Sequence, residues 1–271
     1  MNELEQALQW FVEDKRIMAC LTVTGGTAES ECHAACGRIR EKEASGEDVP
    51  LGERILQLIR EEDKAHPLSD AAICERLREE GLLDLSRPVT AYAPQFAHLG
   101  EVPVERVLTF SVGLTSPARI DAQPTREEGL RQLFLTMPQP LGTGRYYSDM
   151  HAMVLKYVVE GAAGESLFDC LSRRILRPLG MKDTFAHVPQ GERRRAASCD
   201  LEHRIEGTRH ILRRGIAPGT VHDPKARLLS LEGADLCGHA GLFATRGDMV
   251  RFCQGVLRGQ VLSRESLRFL A

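Results

Sequence analysis

The chain has 271 residues, of which 42 % are hydrophobic and 27 % are charged, and its formal net charge is -3. These values are typical of a soluble globular protein and argue against a disordered chain. The small net charge gives no general attraction to nucleic acid or to a membrane surface. No apolar stretch approaches the roughly 20 residues of a membrane span, and no secretory signal is visible. We therefore expect a cytoplasmic protein whose eight cysteines are free thiols.

The first part of the chain predicts a helix and then two strands. Apolar residues at helical spacing cover residues 4–11, an apolar run at residues 17–23 predicts a buried strand, and residues 31–35 predict a weaker one. Residues 38–66 follow and are highly charged. Within them, a short helix is indicated by Ile55, Leu58 and Ile59.

A second helix is predicted to start within residues 67–70, with Ser69 or Asp70 as its N-cap, and to end near Gly81. Its apolar face consists of Ile73, Cys74 and Leu77. Residues 86–145 are rich in proline and glycine, which predicts loops and short helices.

Three helices are predicted in the remaining sequence. The first opens at Asp149, is broken by Gly161 and Gly164, and has an apolar face at spacings of three and four residues. That face consists of Met150, Met153, Val154, Tyr157 and Val158. The later two helices carry Leu167, Cys170, Leu171 and Ile175, and, after a cap at Asp248, Val250, Cys253, Val256 and Leu257.

Several short phrases occur in an order that resembles one known superfamily. They are EGLLDL at 80–85, GTGRYYSD at 142–149, RPLGMKDT at 177–184, GTVHD at 219–223 and GHAGLFAT at 238–245. Each phrase alone is weak, but together they resemble the class C β-lactamase, penicillin-binding-protein and esterase superfamily of serine hydrolases. In that resemblance, residues 142–149 look like the tyrosine box.

The resemblance implies an α+β fold, with a β-lactamase/transpeptidase-like antiparallel sheet flanked by helices and a helical subdomain. We expect one domain over residues 1–271, in which residues 1–48 and 215–271 form the α/β part and residues 49–214 the mainly helical part. The last family strands would lie beyond the end of the sequence. We therefore expect an incomplete sheet, covered by a homo-oligomer or another partner.

The resemblance also implies a site, but this sequence carries only part of it. In the superfamily a serine is the nucleophile, a lysine one turn later helps to deprotonate it, and a tyrosine relays protons. Tyr147 and Asp149 match the tyrosine box, whereas counting back from Gly81 places Lys64 at the serine position, and no Ser-x-x-Lys occurs there. Ser69 is the nearby hydroxyl, either as a nucleophile or as a helix cap.

Other interpretations of these residues stay open at this point. Tyr147 is either a relic of proton relay or a buried tyrosine with a satisfied hydroxyl. His222 and Asp223 could form a general-base pair, although a structural hydrogen bond is favoured. Zinc ligands can be imagined among Cys199, His203, Cys237 and His239, but the spacing matches no strong motif, and core thiols are favoured. We predict no cofactor and no metal.

Residues 46–81 also resemble the DNA-binding region of the nitrogen-type alternative sigma factors. The basic recognition segment of that family is replaced here by residues 86–92, which contain one basic residue and a proline. Phosphate contacts need several lysines or arginines, so nucleic acid is not the expected partner. We predict a β-lactamase-related serine-hydrolase protein that is inactive or severely impaired and has a small ester or peptidoglycan-like ligand. The alternatives are a non-catalytic ligand-binding or regulatory protein and a weak DNA-binding module through residues 46–92.

Overall fold

The computed structural model describes four stretches of the chain in full and several further strands and helix ends by their backbone. The full stretches are residues 71–139, 144–197, 217–230 and 235–269. The backbone is described for residues 21–26, 31–36, 59–61, 66–70, 201–206, 209–214 and 270. The helix predicted over residues 4–11 lies outside these ranges.

Helices and short antiparallel strands alternate along the described chain. The helices are α1 (His66–Glu79), α2 (Val104–Leu108), α3 (Arg126–Phe134), α4 (Asp149–Ala163), α5 (Leu167–Leu171), α6 (Pro224–Leu229), α7 (Arg246–Leu257) and α8 (Arg264–Leu270). The strands are β1 (Leu21–Gly26), β2 (Glu31–Cys36), β3 (Ile59–Glu61), β4 (Gly113–Thr115), β5 (Met137–Gln139), β6 (Thr184–Phe185), β7 (Leu201–Glu206), β8 (Arg209–Arg214) and β9 (Phe243–Thr245). The fold is therefore α+β.

Helix α1 confirms the predicted helix but begins earlier than expected. It starts at His66, so Ser69 and Asp70 lie inside the helix, and the prediction that one of them is the N-cap is wrong. Pro67 is compatible with the first turn, because the first N–H groups of a helix have no intrahelical partner. The predicted end is confirmed by Gly81, which follows in a left-handed conformation with φ of 73°.

Helix α4 lies at the centre of the main hydrophobic core. Met153, Val154 and Val158 are completely buried, as the predicted apolar face requires. Helix α1 packs against α4 with its predicted face. Three aromatic rings, Phe96, Phe134 and Tyr157, meet edge to face beside α4 with centroids 5.3 to 5.6 Å apart.

The prediction that α4 breaks at Gly161 is wrong, whereas the break at Gly164 is confirmed. The helix continues through Gly161 to Ala163, and Gly164 caps it with φ of 69°. A Cβ atom at position 161 would lie 1.9 Å from the backbone oxygen of Tyr92. The glycine therefore permits close packing of the chain against the helix and does not end it.

Strand β9 lies between β3 and β6 in a three-stranded antiparallel sheet. Ile59 pairs with Thr245 in this sheet, so the predicted helical role of Ile59 is wrong. Tertiary pairing overrides a local apolar pattern in such a short segment. The remaining described strands form two-stranded antiparallel sheets. The pair β1–β2 confirms the two strands predicted near the start of the chain. The pairs β4–β5 and β7–β8 were not predicted.

Helix α7 also differs from its prediction. Thr245 is its N-cap and accepts a hydrogen bond from the backbone N–H of Asp248, so the cap assigned to Asp248 is wrong. The buried Asp248 carboxylate instead accepts from Thr184 Oγ1 and the backbone N–H of Asp183, both at 2.8 Å. Leu257 is 66 % exposed, which removes it from the predicted apolar face.

Cys253, which was also assigned to the apolar face of α7, is exposed. Helix α8 follows α7 and was not predicted. None of the described helices combines the length and apolar character needed to cross a bilayer. The proposed two-part division of the domain and the expected homo-oligomer stay predictions.

Candidate functional site

The tyrosine box leads directly into the N-terminus of α4. Ser148 is the N-cap, and its Oγ accepts a hydrogen bond from the backbone N–H of Met150 at 3.3 Å. Asp149 is the first helical residue, where the helix dipole favours a negative charge. Tyr147 is 68 % exposed, so its interpretation as a buried tyrosine is wrong. The sequence therefore presents a phenol at the surface beside a helix N-terminus.

The hydroxyl of Tyr147 faces a carboxylate. It donates to Asp149 Oδ1 at 3.4 Å, and its ring packs against Phe110 with centroids 5.5 Å apart. Partial burial and the negative charge of Asp149 both raise the pKa of Tyr147 above its ordinary value. At neutral pH this side chain is therefore a protonated hydrogen-bond donor and not a base.

A buried imidazole fixes the backbone beneath the tyrosine box. His151 is completely buried, with Nδ1 2.9 Å from the carbonyl oxygen of Ser148 and Nε2 2.8 Å from that of Val112. Phe110 packs on this imidazole and adopts a left-handed conformation with φ of 56°, while its carbonyl accepts from Tyr146 N–H at 2.8 Å. Such a conformation costs about 1–3 kcal/mol and persists only where the surroundings impose it. These contacts hold the approach to Tyr147 in one geometry.

Lys225, near the start of α6, brings a positive charge to the tyrosine box. Its Nζ lies 2.7 Å from Asp149 Oδ2. Burial opposes the lysine charge, but Asp149 and Asp223 outweigh it and raise the pKa of Lys225. Lys225 therefore stays protonated, and its charge is engaged with the carboxylate that also faces Tyr147.

Asp223 joins this cluster to a buried histidine. Its Oδ1 accepts from the backbone N–H of Ala226 at 2.9 Å, as the N-cap of α6, and from Nε2 of His239 at 2.8 Å. Burial alone would raise the pKa of Asp223, but the hydrogen bond and charge of His239 hold it well below its usual range. The carboxylate of Asp223 therefore caps α6 and pairs with the buried His239. Both are structural roles, as was favoured over a general-base pair of Asp223 with His222.

Two carboxylates and an imidazole in this cluster are close enough together to be considered as metal ligands. Ligand atoms of Asp149, Asp223 and His239 all lie within 4.8 Å of one another. The ammonium group of Lys225 already binds Asp149, and its charge acts on Asp223. We therefore assign the cluster to an ion-pair network. Of the other residues weighed as zinc ligands, Cys199 lies outside the described residues, as does the side chain of His203.

The remaining predicted site residues stand as follows. Ser69 is the fourth residue of α1, and its side chain lies outside the described residues, as does the whole of Lys64. Their roles at the nucleophile position thus stay predictions. Lys225 was missed, because no sequence spacing connects it with Asp149; only the fold places α6 beside the start of α4.

This arrangement of a helix-terminal tyrosine box, a helical core and antiparallel strands is that of a penicillin-recognising serine hydrolase. The family model described as Beta-lactamase matches residues 70–271. The chain therefore belongs to the beta-lactamase family.

Two curated proteins illustrate this relationship. The chain is 34 % identical over 123 residues to a putative D-alanyl-D-alanine carboxypeptidase of Escherichia coli K12, a match that covers 44 % of this chain and 28 % of that protein. It is 28 % identical over 205 residues to an N-acetylmuramyl-L-alanine amidase of Bacillus subtilis, covering 68 % of this chain and 46 % of that protein. The chain thus spans less than half the length of these relatives.

Solved structures support the fold. FmtA from Staphylococcus aureus superposes with a TM-score of 0.69 at 15 % identity, covering 95 % of this chain and 67 % of that one. The D-amino acid amidase from Ochrobactrum anthropi SV3, in a complex with L-phenylalanine, superposes with a TM-score of 0.71 at 18 % identity, covering 98 % and 73 %. At these identities the likeness concerns the fold alone.

Proposed function

We propose that this protein does not form an acyl-enzyme by the serine–lysine route of its family, and that it binds a peptidoglycan-like ligand ending in a D-amino acid. The observation that carries the proposal is the setting of Tyr147. Its hydroxyl faces Asp149, and the nearby Lys225 is bound to that same carboxylate. A proton-relay tyrosine would need nearby cations to outweigh the carboxylates, whereas here burial and Asp149 raise the pKa of Tyr147 more than Lys225 lowers it.

Acyl transfer needs an activated nucleophile together with a base and oxyanion donors. The sequence has Lys64 and Pro67 where the family count places the serine and its lysine. Ser69 is the nearest hydroxyl, and no lysine follows it one turn later. The proposal therefore combines a missing activation pair with a tyrosine held in its protonated form.

The ligand class is suggested by the relatives and by the exposed groups of the tyrosine box. The names of the curated relatives point to cell-wall peptides, and the amidase of known structure to D-amino acid derivatives. Tyr147 offers an exposed hydroxyl, and the side chain of Lys225 is 24 % exposed. These two groups could hydrogen-bond a carbonyl and pair with a terminal carboxylate.

The acylation part of the proposal is tested with a fluorescent penicillin. The protein is incubated with the reagent, denatured and separated, and the label is compared with that of an active D-alanyl carboxypeptidase treated in parallel. We expect no covalent label on this chain. A label that disappears in the Ser69→Ala variant would overturn the proposal and identify the nucleophile.

The binding part is tested separately by calorimetry with a peptide ending in D-Ala-D-Ala. We expect weak, saturable binding that the Lys225→Met variant reduces and that the Arg258→Met variant, at the C-terminal end of α7, leaves unchanged. Equal binding of the peptide ending in L-Ala-L-Ala would show that the D-amino acid is not recognised. Failure of binding alone would leave the acylation result standing.

A further inference from the structure

A groove lies between the short 3-10 helical segment Pro94–Leu99 and helix α3. Its volume of about 470 Å³ falls within the range of roughly 300–1,000 Å³ that is typical of small-molecule sites. The lining is partly apolar and partly polar, and includes Leu130, Phe134, Leu135, His98, Glu127 and Arg131. None of these residues belongs to the charged cluster at the tyrosine box, so the groove is a second concave site.

The apolar floor of the groove is held in place by the main core. Leu130 and Phe134 line the groove, are partly buried and pack against that core. The ring of Phe134 meets Phe96 and Tyr157 edge to face, with centroids 5.4 and 5.3 Å away. Because these contacts fix the ring, the floor is preorganised, and a ligand does not have to order it on binding.

Two opposite charges stand beside this floor without neutralising each other. Glu127 and Arg131 are exposed and lie one turn apart on α3, with the glutamate first, which is the favourable order for an ion pair. The pair Arg76–Glu80 in α1 has the less favourable order and is nevertheless closed, at 3.2 Å. In the described part of the chain, by contrast, neither Glu127 nor Arg131 has an ion pair or a side-chain hydrogen bond. A carboxylate and a guanidinium are therefore both available at the edge of the groove.

We propose that this groove binds a small zwitterionic amino acid with an aromatic side chain. The ligand ring packs on Leu130 and Phe134, where an edge-to-face contact with the phenylalanine ring is favourable. The α-carboxylate pairs with Arg131 and the α-ammonium with Glu127. Residues four apart on a helix have Cβ atoms about 5–6 Å from each other, so both side chains can reach the two charged groups of one ligand. This binding is independent of the tyrosine box and of the ligand proposed for it.

The test is titration of the full chain with L-phenylalanine, followed by saturation-transfer NMR on the ligand. We expect saturable binding with a dissociation constant in the low millimolar range, on the order of what about 12 non-hydrogen atoms supply. L-Alanine, which lacks the ring, should bind at least about fivefold more weakly. The absence of a saturable signal at concentrations about tenfold above the expected constant overturns the proposal.

Four variants, each checked for folding by thermal unfolding, place the ligand in the groove. Ala97→Trp fills the groove from its exposed wall, and we expect the affinity to fall at least about tenfold. Arg131→Met and Glu127→Gln should each weaken binding about three- to fivefold, which is the effect of one exposed ion pair. Arg268→Met, at an exposed arginine of α8, is the matched control and should leave binding unchanged.

Two analogues assign each charge to its partner. 3-Phenylpropionate lacks the ammonium group, so Arg131→Met should weaken its binding and Glu127→Gln should not. 2-Phenylethylamine lacks the carboxylate, so the two variants should exchange their effects. The proposal is overturned if both variants act equally on both analogues, or if Ala97→Trp binds L-phenylalanine as tightly as the wild type. A loss of binding in Lys225→Met would assign the ligand to the tyrosine-box cluster and would overturn it as well.

Discussion

Tyr147 and His239 stand at two ends of one charged cluster and differ mainly in their exposure to solvent. Tyr147 is 68 % exposed and lies 3.4 Å from its carboxylate partner, whereas His239 is 7 % exposed and lies 2.8 Å from its own. Water screens charges at the first end, while burial strengthens them at the second. The tyrosine box, which is the part of the cluster that the family resemblance makes easy to recognise, is therefore the end with the weaker electrostatic interaction. The stronger interaction lies at the buried His239–Asp223 pair.

Removal of Asp223 should have the largest effect, because it leaves His239 buried without its partner and removes the cap of α6. We expect Asp223→Ala to lower the free energy of unfolding by about 3 kcal/mol. Asp223→Asn, which can still cap the helix, should cost less. Urea unfolding of both variants measures the difference, and equal losses would show that the charge of Asp223 contributes little.

The same pair predicts how stability depends on pH. The pKa of His239 is raised from 6.5 to about 10 in the folded protein, so its contribution is complete below about pH 6.5 and is lost as the pH rises toward 10. The pKa of Asp223 is lowered from 3.8, so its contribution is present above about pH 4 and is lost on further acidification. Chemical unfolding across this pH range should show a decline toward pH 10 in the wild type that is much weaker in His239→Gln.

Removal of the buried imidazole beneath the exposed end should have an intermediate effect. His151→Phe keeps an aromatic ring beside Phe110 but leaves the buried carbonyl of Val112 without its partner. We expect a loss of about 2 kcal/mol in the free energy of unfolding. His98→Phe, at an exposed histidine, is the matched control and should change stability by less than about 0.5 kcal/mol. Similar values for the two variants would contradict a structural role for His151.

Removal of Lys225 should have the smallest effect on stability and a specific effect on Tyr147. The lysine charge lowers the pKa of this tyrosine, in opposition to Asp149, so Lys225→Met should raise it further. Stability should change by about 1 kcal/mol or less, since both partners are partly exposed. Spectrophotometric titration of phenolate formation, with Tyr147→Phe to assign the signal, measures the shift; a lower pKa in Lys225→Met would show that the assigned contacts are wrong.

The sequence predicted the elements whose patterns are local. The apolar face from Met150 to Val158 defines α4, and the ordered family phrases indicated the fold and the position of Tyr147. Pairings between distant segments could not be predicted in this way. Nothing in the residues around Ile59 shows that they form a strand with β9, and nothing near Asp149 shows that Lys225 lies beside it.

Glycines and caps were ambiguous for a related reason. Gly161 has the signature of a helix break, yet its lack of a side chain serves the close contact with Tyr92. Asp248 is of a residue type that often caps helices, yet its carboxylate in α7 accepts a hydrogen bond from Thr184 in β6. In both cases a residue type that suits a local role is used for a tertiary contact, which a single sequence does not reveal.

We expect that the tyrosine-box end of the cluster does not support acylation of this protein. The most direct test of this expectation is the intact mass of the protein after treatment with a reactive fluorophosphonate, which traps activated serines. We expect an unchanged mass for both the wild type and the Tyr147→Phe variant. A stoichiometric adduct on a serine in the wild type that is lost in Tyr147→Phe would contradict it.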